Sequence, residues 1–218
     1  MEIIDISVPV GPNTPMWDDA PSPKLRIHSH LASGDTATVS SVLLSSHAGT
    51  HVDAPAHFVA GAATIDEIDT EALVGPAVVV QHTGTSHITA RDLDELGIDG
   101  SCPRVLFKTR NGSLWDKPGF QRDFIGITLD AAQRLVEREV CLVAIDYLSI
   151  EAYEAADCPV HTLLLSAGIV LVEGVDLRAA QEGEYLLVCA PLKLEGAEGA
   201  PARLFLLRDR GGDARDDR

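Results

Sequence analysis

The chain has 218 residues, 45% of them hydrophobic and 23% charged, which suits a single domain with one sizeable core. Its formal net charge of −16, from 33 acidic against 17 basic residues, repels phosphate backbones and anionic lipid, so neither nucleic acid nor membrane is expected as a partner. The opening MEIIDISVPVGP has no basic n-region and no long apolar run, and no apolar stretch has bilayer-spanning length, so a cytoplasmic location is expected.

Runs rich in Val, Ile and Leu, bounded by Gly, Pro, Asp or Ser, predict strands at 3–7, 24–31 and 38–46, leading up to a histidine-rich segment. Further strands are expected at 77–82, 104–109, 141–147, 168–175, 184–194 and 202–208. Thr89, with Asp92 three residues on, forms a capping-box pattern that opens a helix ending at Gly97. Thr128 opens another, TLDAAQRLVERE, in which Leu129, Ala132 and Leu135 share one face with Val136 beside them. A shorter helix is expected at 162–166.

Strands outnumber helices without strict βαβ alternation, which predicts one α/β domain of mixed α+β type over 1–208. Residues 209–218 are charged and lack large apolar side chains, as expected of a disordered tail. Cys102, Cys141, Cys158 and Cys189 form no C-x-x-C pair and read as reduced, mostly buried thiols.

The stretch SSHAGTHVDAPAHF gathers His47, His51, Asp53 and His57 among small residues. Small neighbours let the backbone approach an ion, and Gly49 reaches conformations that other residues resist. Gly49, Thr50 and Pro55 argue against a helix here, so the segment reads as a strand end turning into a loop, with His51 and Asp53 projecting from one side. Imidazole and carboxylate ligands without a thiolate suit a borderline divalent ion at an open, catalytic site: Zn²⁺ first, Mn²⁺ as the alternative. His28, His30, His82 and His87 lack a carboxylate at ligand spacing and read as structural.

A second stretch, HTLLLSAGIVLVEGV, places Glu173 inside an apolar strand, where a buried carboxylate needs a partner; a metal is one candidate and an Arg another. Ser149 and Ser166 have no G-x-S-x-G elbow around them and read as surface or capping serines, not nucleophiles.

HAGTHVDAPAH resembles the H-x-G-T-H-x-D-x-P-x-H signature of the cyclase family, which includes bacterial kynurenine formamidases and isatin hydrolases. The opening DIS and TPMW, and later FKT, AIDYLSIE and APLKLEG, are similar to its other landmarks, so the resemblance covers nearly the whole chain. It implies a swivelling β/β/α domain, homo-oligomeric as a dimer or tetramer, holding one or two divalent ions. His47, His51 and Asp53 match the first metal ligands, and His57 matches the catalytic histidine. His161 and Glu173 have the spacing of the ligands that complete a second zinc shared through the Asp. Trp17 falls where formamidases place an aromatic against substrate. Asp18-Asp19-Ala20-Pro21 replaces the family's frequent Pro-Gly-Asp after that aromatic, and G-T-H stands where formamidases tend to carry G-A-H, so the substrate stays open.

The resemblance implies a hydrolase of a small amide that uses metal-activated water, with His57 as general acid–base. An arylformamidase acting on N-formylkynurenine is the leading expectation. A hydrolase of a cyclic amide such as isatin, or of another small amide or lactone, is the alternative; a metal-binding protein without turnover is a third.

Overall fold

The runs at 104–109, 141–147 and 168–175 carry apolar side chains on both faces, so each needs cover from both sides. In the computed structural model, which describes residues 1–18, 20–98 and 100–209, a closed sheet and one helical layer supply that cover. The remainder of the expected tail, 210–218, lies outside the described residues.

The strands in chain order are β1 (Glu2–Asp5), β2 (Lys24–Ser29), β3 (Val39–Leu43), β4 (His51–Asp53), β5 (Val74–Gln81), β6 (Arg104–Lys108), β7 (Leu142–Ile145), β8 (Val170–Glu173), β9 (Gly183–Pro191) and β10 (Gly199–Arg208). The helices are α1 (Thr70–Leu73), α2 (Ala90–Glu95), α3 (Leu129–Glu137) and α4 (Pro159–Ser166). Strands pair in the order β10-β4-β8-β7-β6-β5-β9, and β9 pairs back onto β10, so seven strands close into a barrel with β1 added beside β10. The run β5-β6-β7-β8 is parallel, with α2, α3 and α4 in its crossovers, and the remaining pairings are antiparallel.

Period-two alternation builds the layers. Leu106, Leu142, Ala144, Val170 and Val172 point into the barrel. Their neighbours Val105, Phe107, Val143, Ile145 and Leu171 point outward, against Leu93, Ala132, Leu135, Val160 and Leu164 of the helices. Two sheet walls with helices outside one of them give the mixed α+β, β/β/α layering expected. Among the described residues, no helix is long and apolar enough to cross a membrane.

Several expectations need correction. The strand at 38–46 ends at Leu43 in a separate two-stranded hairpin, and the histidine segment contributes a strand of its own, β4. On α3, Leu129 is 41% exposed and Ala131, two positions on, is buried in its place among the helical-layer core. Helix α4 starts at Pro159, whose fixed φ suits a first helical turn. Of the cysteines only Cys189 is buried, the other three being partly exposed.

Candidate functional site

β4 lies between β10 and β8, and its register with β8 puts His51 opposite Glu173. Val52 points into the barrel core, so His51 and Asp53 face the other way, onto the side where Leu171 meets the helical layer. Helix α4 lies over that side and adds His161 from its first turn. The turn before β4 packs against the turn after β8. There Gly49 (φ 66) and Gly174 (φ 74) both take left-handed conformations, and a Cβ on Gly174 would sit 2.2 Å from the Gly49 carbonyl oxygen. Thr50 Oγ1 closes the contact, donating to the Gly174 carbonyl at 2.6 Å and accepting from Val8 N–H at 2.9 Å.

These elements bring together every site residue expected from the histidine segment, with His161 and Glu173. Asp53 Oδ1 is 2.8 Å from His47 Nδ1 and 3.5 Å from His51 Nε2. Glu173 carboxylate oxygens lie 3.4 Å from His51 Nε2 and 3.1 Å from His161 Nε2. The His57 ring, at the end of the 3-10 turn Pro55–His57, stacks on His47 with centroids 4.1 Å apart. Asp53 belongs to two groups with ligand atoms within 4.8 Å of one another, one with His47 and His57, the other with His51 and Glu173. Thus His57, expected as a free acid–base, stands within ligand range of Asp53.

Hydrogen bonding sets the imidazole tautomers. His51 Nδ1 donates to the Gly49 carbonyl at 2.9 Å, and His161 Nδ1 donates to Glu151 at 2.7 Å. In its neutral form each ring therefore turns an Nε2 lone pair toward Asp53 or Glu173, an arrangement that calls for a proton or a metal cation between them. Asp53 and Glu173 are 1% and 5% exposed, and the contacts above give them imidazoles, with no Lys or Arg. His47 Nε2 is buried without a hydrogen bond; Glu198 Oε1 lies 3.3 Å away but off the line that would form one. This donor set fits a divalent ion.

The local field points the same way. Burial works to lower the His161 pKa, but its bonds to Glu151 and Glu173 override that and raise it to about 10. Burial works to raise the Glu173 pKa, yet bonds from His161 and His51 hold it well below the usual carboxylate range. The cluster thus concentrates negative charge that favours a cation. At His57 burial prevails over the Asp53 charge, and its pKa falls below the ordinary imidazole value.

The site opens into a cavity of about 380 Å³, lined by Trp17, His47, His51, His57, Phe58 and His161 among others. Trp17 is 40% exposed and packs on Phe120 (centroids 4.8 Å apart) and Tyr153 (5.5 Å), forming an aromatic wall. Phe58 stacks on His161 at 4.6 Å. Ser149, expected as a surface or capping serine, is 5% exposed, lines the cavity and accepts from Glu151 N–H. His82 and His87 instead make structural bonds, with the Ser86 carbonyl and the Gly126 N–H respectively.

Two carboxylates went unassigned in the sequence reading. Glu151 holds the His161 ring and also accepts from Val160 N–H at 3.0 Å. Glu198 accepts from Ser46 Oγ at 2.6 Å beside His47. Glu151 ends the stretch AIDYLSIE, where a carboxylate beside apolar residues was a usable signal. Glu198 sits in a Gly- and Glu-containing loop that offered none.

The sequence matches the family model described as "Putative cyclase" over residues 4–152. It is 38% identical to Cyclase-like protein 1 of Arabidopsis thaliana, over 95% of this chain and 85% of that protein. It is 34% identical to a kynurenine formamidase of Salinibacter ruber (strain DSM 13855 / M31), over 94% of this chain and 97% of the relative. Among solved structures, one described as a potential metal-dependent hydrolase with cyclase activity superposes with a TM-score of 0.81 at 35% identity, covering 94% of this chain and 96% of the other. An isatin hydrolase bound to thioisatinate shares the fold at 21% identity, with a TM-score of 0.83 over 95% of this chain and 93% of its own. With the family model matched over more than half its length, the chain belongs to the cyclase family.

Proposed function

We propose that the chain is a metal-dependent hydrolase of a small aryl amide, with N-formylkynurenine as the leading substrate. One observation carries the reading: buried carboxylates and imidazole Nε2 atoms converge on the floor of a cavity whose wall is aromatic. The similarity to a kynurenine formamidase and to a metal-dependent hydrolase supports the reaction class.

His47, His51 and Asp53 would hold one divalent ion, and Asp53, His161 and Glu173 a second; Zn²⁺ suits the donors best, with Mn²⁺ the alternative. Such an ion supplies Lewis acidity and a water whose pKa falls to about 7. The chain's own residues do the rest. His57, neutral at physiological pH because of its lowered pKa, takes a proton from the attacking water and returns it to the leaving nitrogen. Trp17 and Tyr153, which line the cavity, with Phe120 packed against Trp17, receive the aryl group face-on and orient the amide toward the cavity floor. Phe58, stacked on His161, keeps bulk water off the buried carboxylates.

The test is metal analysis of purified protein followed by assay on N-formylkynurenine and on isatin. Turnover of the formamide with one or two equivalents of Zn²⁺ is expected. Turnover of isatin alone would move the substrate to a cyclic amide, and metal-replete protein inert on amides and lactones alike would overturn the hydrolase reading.

A further inference from the structure

His47, His51 and His161 each send one ring nitrogen toward the carboxylates of the site, and the opposite nitrogen of each needs a partner of its own. His51 Nδ1 has the Gly49 carbonyl, and His161 Nδ1 has Glu151. His47 is turned the other way round. Its Nδ1 is 2.8 Å from Asp53 Oδ1, and its Nε2 is buried without a hydrogen bond.

Glu198 is placed to complete that ring. Its Oε1 lies 3.3 Å from His47 Nε2, and Ser46 Oγ donates to the same oxygen at 2.6 Å. The backbone holds Glu198 there. Ala54 N–H donates to the Glu198 carbonyl at 2.9 Å, and the next residue, Gly199, pairs with Asp53 across the β10–β4 ladder. Gly199 also leaves the imidazole its room: a Cβ at 199 would stand 2.9 Å from His47 Cε1 and 2.9 Å from the Val52 carbonyl oxygen. The Glu198 side chain is 44% exposed, so its carboxylate is free to turn onto the Nε2–H line while the ring stays in place. Among the described residues Glu198 belongs to none of the clusters of converging ligand atoms, so it reaches an ion through His47 and not directly.

We infer that Glu198 is a positioning residue: its carboxylate accepts the Nε2 proton of His47 and thereby commits Nδ1 to the ion beside Asp53. The inference rests on the reading of His47 as a metal ligand. A carboxylate behind a ligand imidazole fixes its tautomer and raises its basicity, as Glu151 does for His161 from the other ring nitrogen.

The test uses Zn²⁺ alone on the full chain. In zinc-loaded protein labelled with ¹⁵N-histidine, the His47 signals (assigned from a His47→Asn variant) should show a proton on Nε2 and zinc on Nδ1. Glu198→Ala, changed at a half-exposed position, should keep the parent's circular dichroism spectrum and lose zinc affinity by about 10–100-fold. Its Nε2 proton should exchange with water faster than the parent's. Glu198→Gln retains an acceptor and should recover most of that affinity, which a merely structural loss would not do. Zinc on Nε2 with the proton on Nδ1, or parental affinity in Glu198→Ala, would overturn the inference. So would a loss as complete as that in Asp53→Ala, which would make Glu198 a ligand itself, or a parent protein that takes up no zinc. Zinc bound in this manner without amide turnover would sink the hydrolase reading alone.

Discussion

Glu151 receives the Nδ1 proton of His161 at 2.7 Å while the Val160 N–H fixes its carboxylate, so it orients a ring whose other nitrogen faces Glu173. Carboxylates placed this way behind ligand imidazoles typically govern metal affinity by about 10–100-fold. Glu151→Gln is expected to weaken metal binding by that order in a competition titration with a chromogenic chelator. Unchanged affinity would mean that packing on Phe58 suffices to hold the ring. His57→Ala should leave metal content intact and lower kcat at least about a hundredfold; loss of metal instead would make His57 a ligand, as its range to Asp53 permits. Away from the cavity, Asp146 is 1% exposed, and burial raises its pKa to about 6 against the bonds it accepts from Thr109 and Gly112. A raised carboxyl pKa stabilises the fold fully below the unfolded value near 4, and that contribution fades as pH climbs through about 6. Asp146→Asn keeps the acceptor toward both amides. Between about pH 4 and 7 it should lose less stability than the parent, by on the order of 3 kcal/mol, as read from denaturant titrations at both pH values.

At the scale of elements, the close approach of the Gly49 and Gly174 turns sets where β4 and β8 meet. Gly174→Ala forces a left-handed residue and a 2.2 Å contact on that seam. It should cost on the order of 2 kcal/mol or more in thermal or denaturant unfolding, and should weaken metal binding too. A full-affinity, full-stability variant would show that the seam can shift freely. This seam also explains what the sequence could and could not say. The buried strands β6, β7 and β8 announce themselves as apolar runs, since both of their faces are covered. The three residues of β4 are too few to set a period, and they are a strand only because β10 and β8 flank them. His51 and Asp53 on one side followed from alternation, whereas Glu173 opposite His51 is a matter of register between distant segments. Likewise the aromatic wall behind Trp17 comes from Phe120 and Tyr153, which nothing local ties to it.

For the molecule as a whole, the metal is expected to act as a folding ligand. With the candidate ligands contributed by β4, β8, α4 and the turn before β4, an ion binds the native state far better than an unfolded chain. Zn²⁺ at about a hundredfold excess over its Kd should add about 2.7 kcal/mol, and a chelator should lower Tm correspondingly. An unchanged Tm would mean that the ion binds elsewhere or not at all. β4 is held on one side by Gly199, Ala200 and Pro201 of β10, the last strand among the described residues. In biosynthesis, the cradle for the ion is therefore left without one of its walls until residues 199–201 have left the ribosome. A nascent chain cut short before that strand would carry the complete histidine motif and still have nowhere to put a metal.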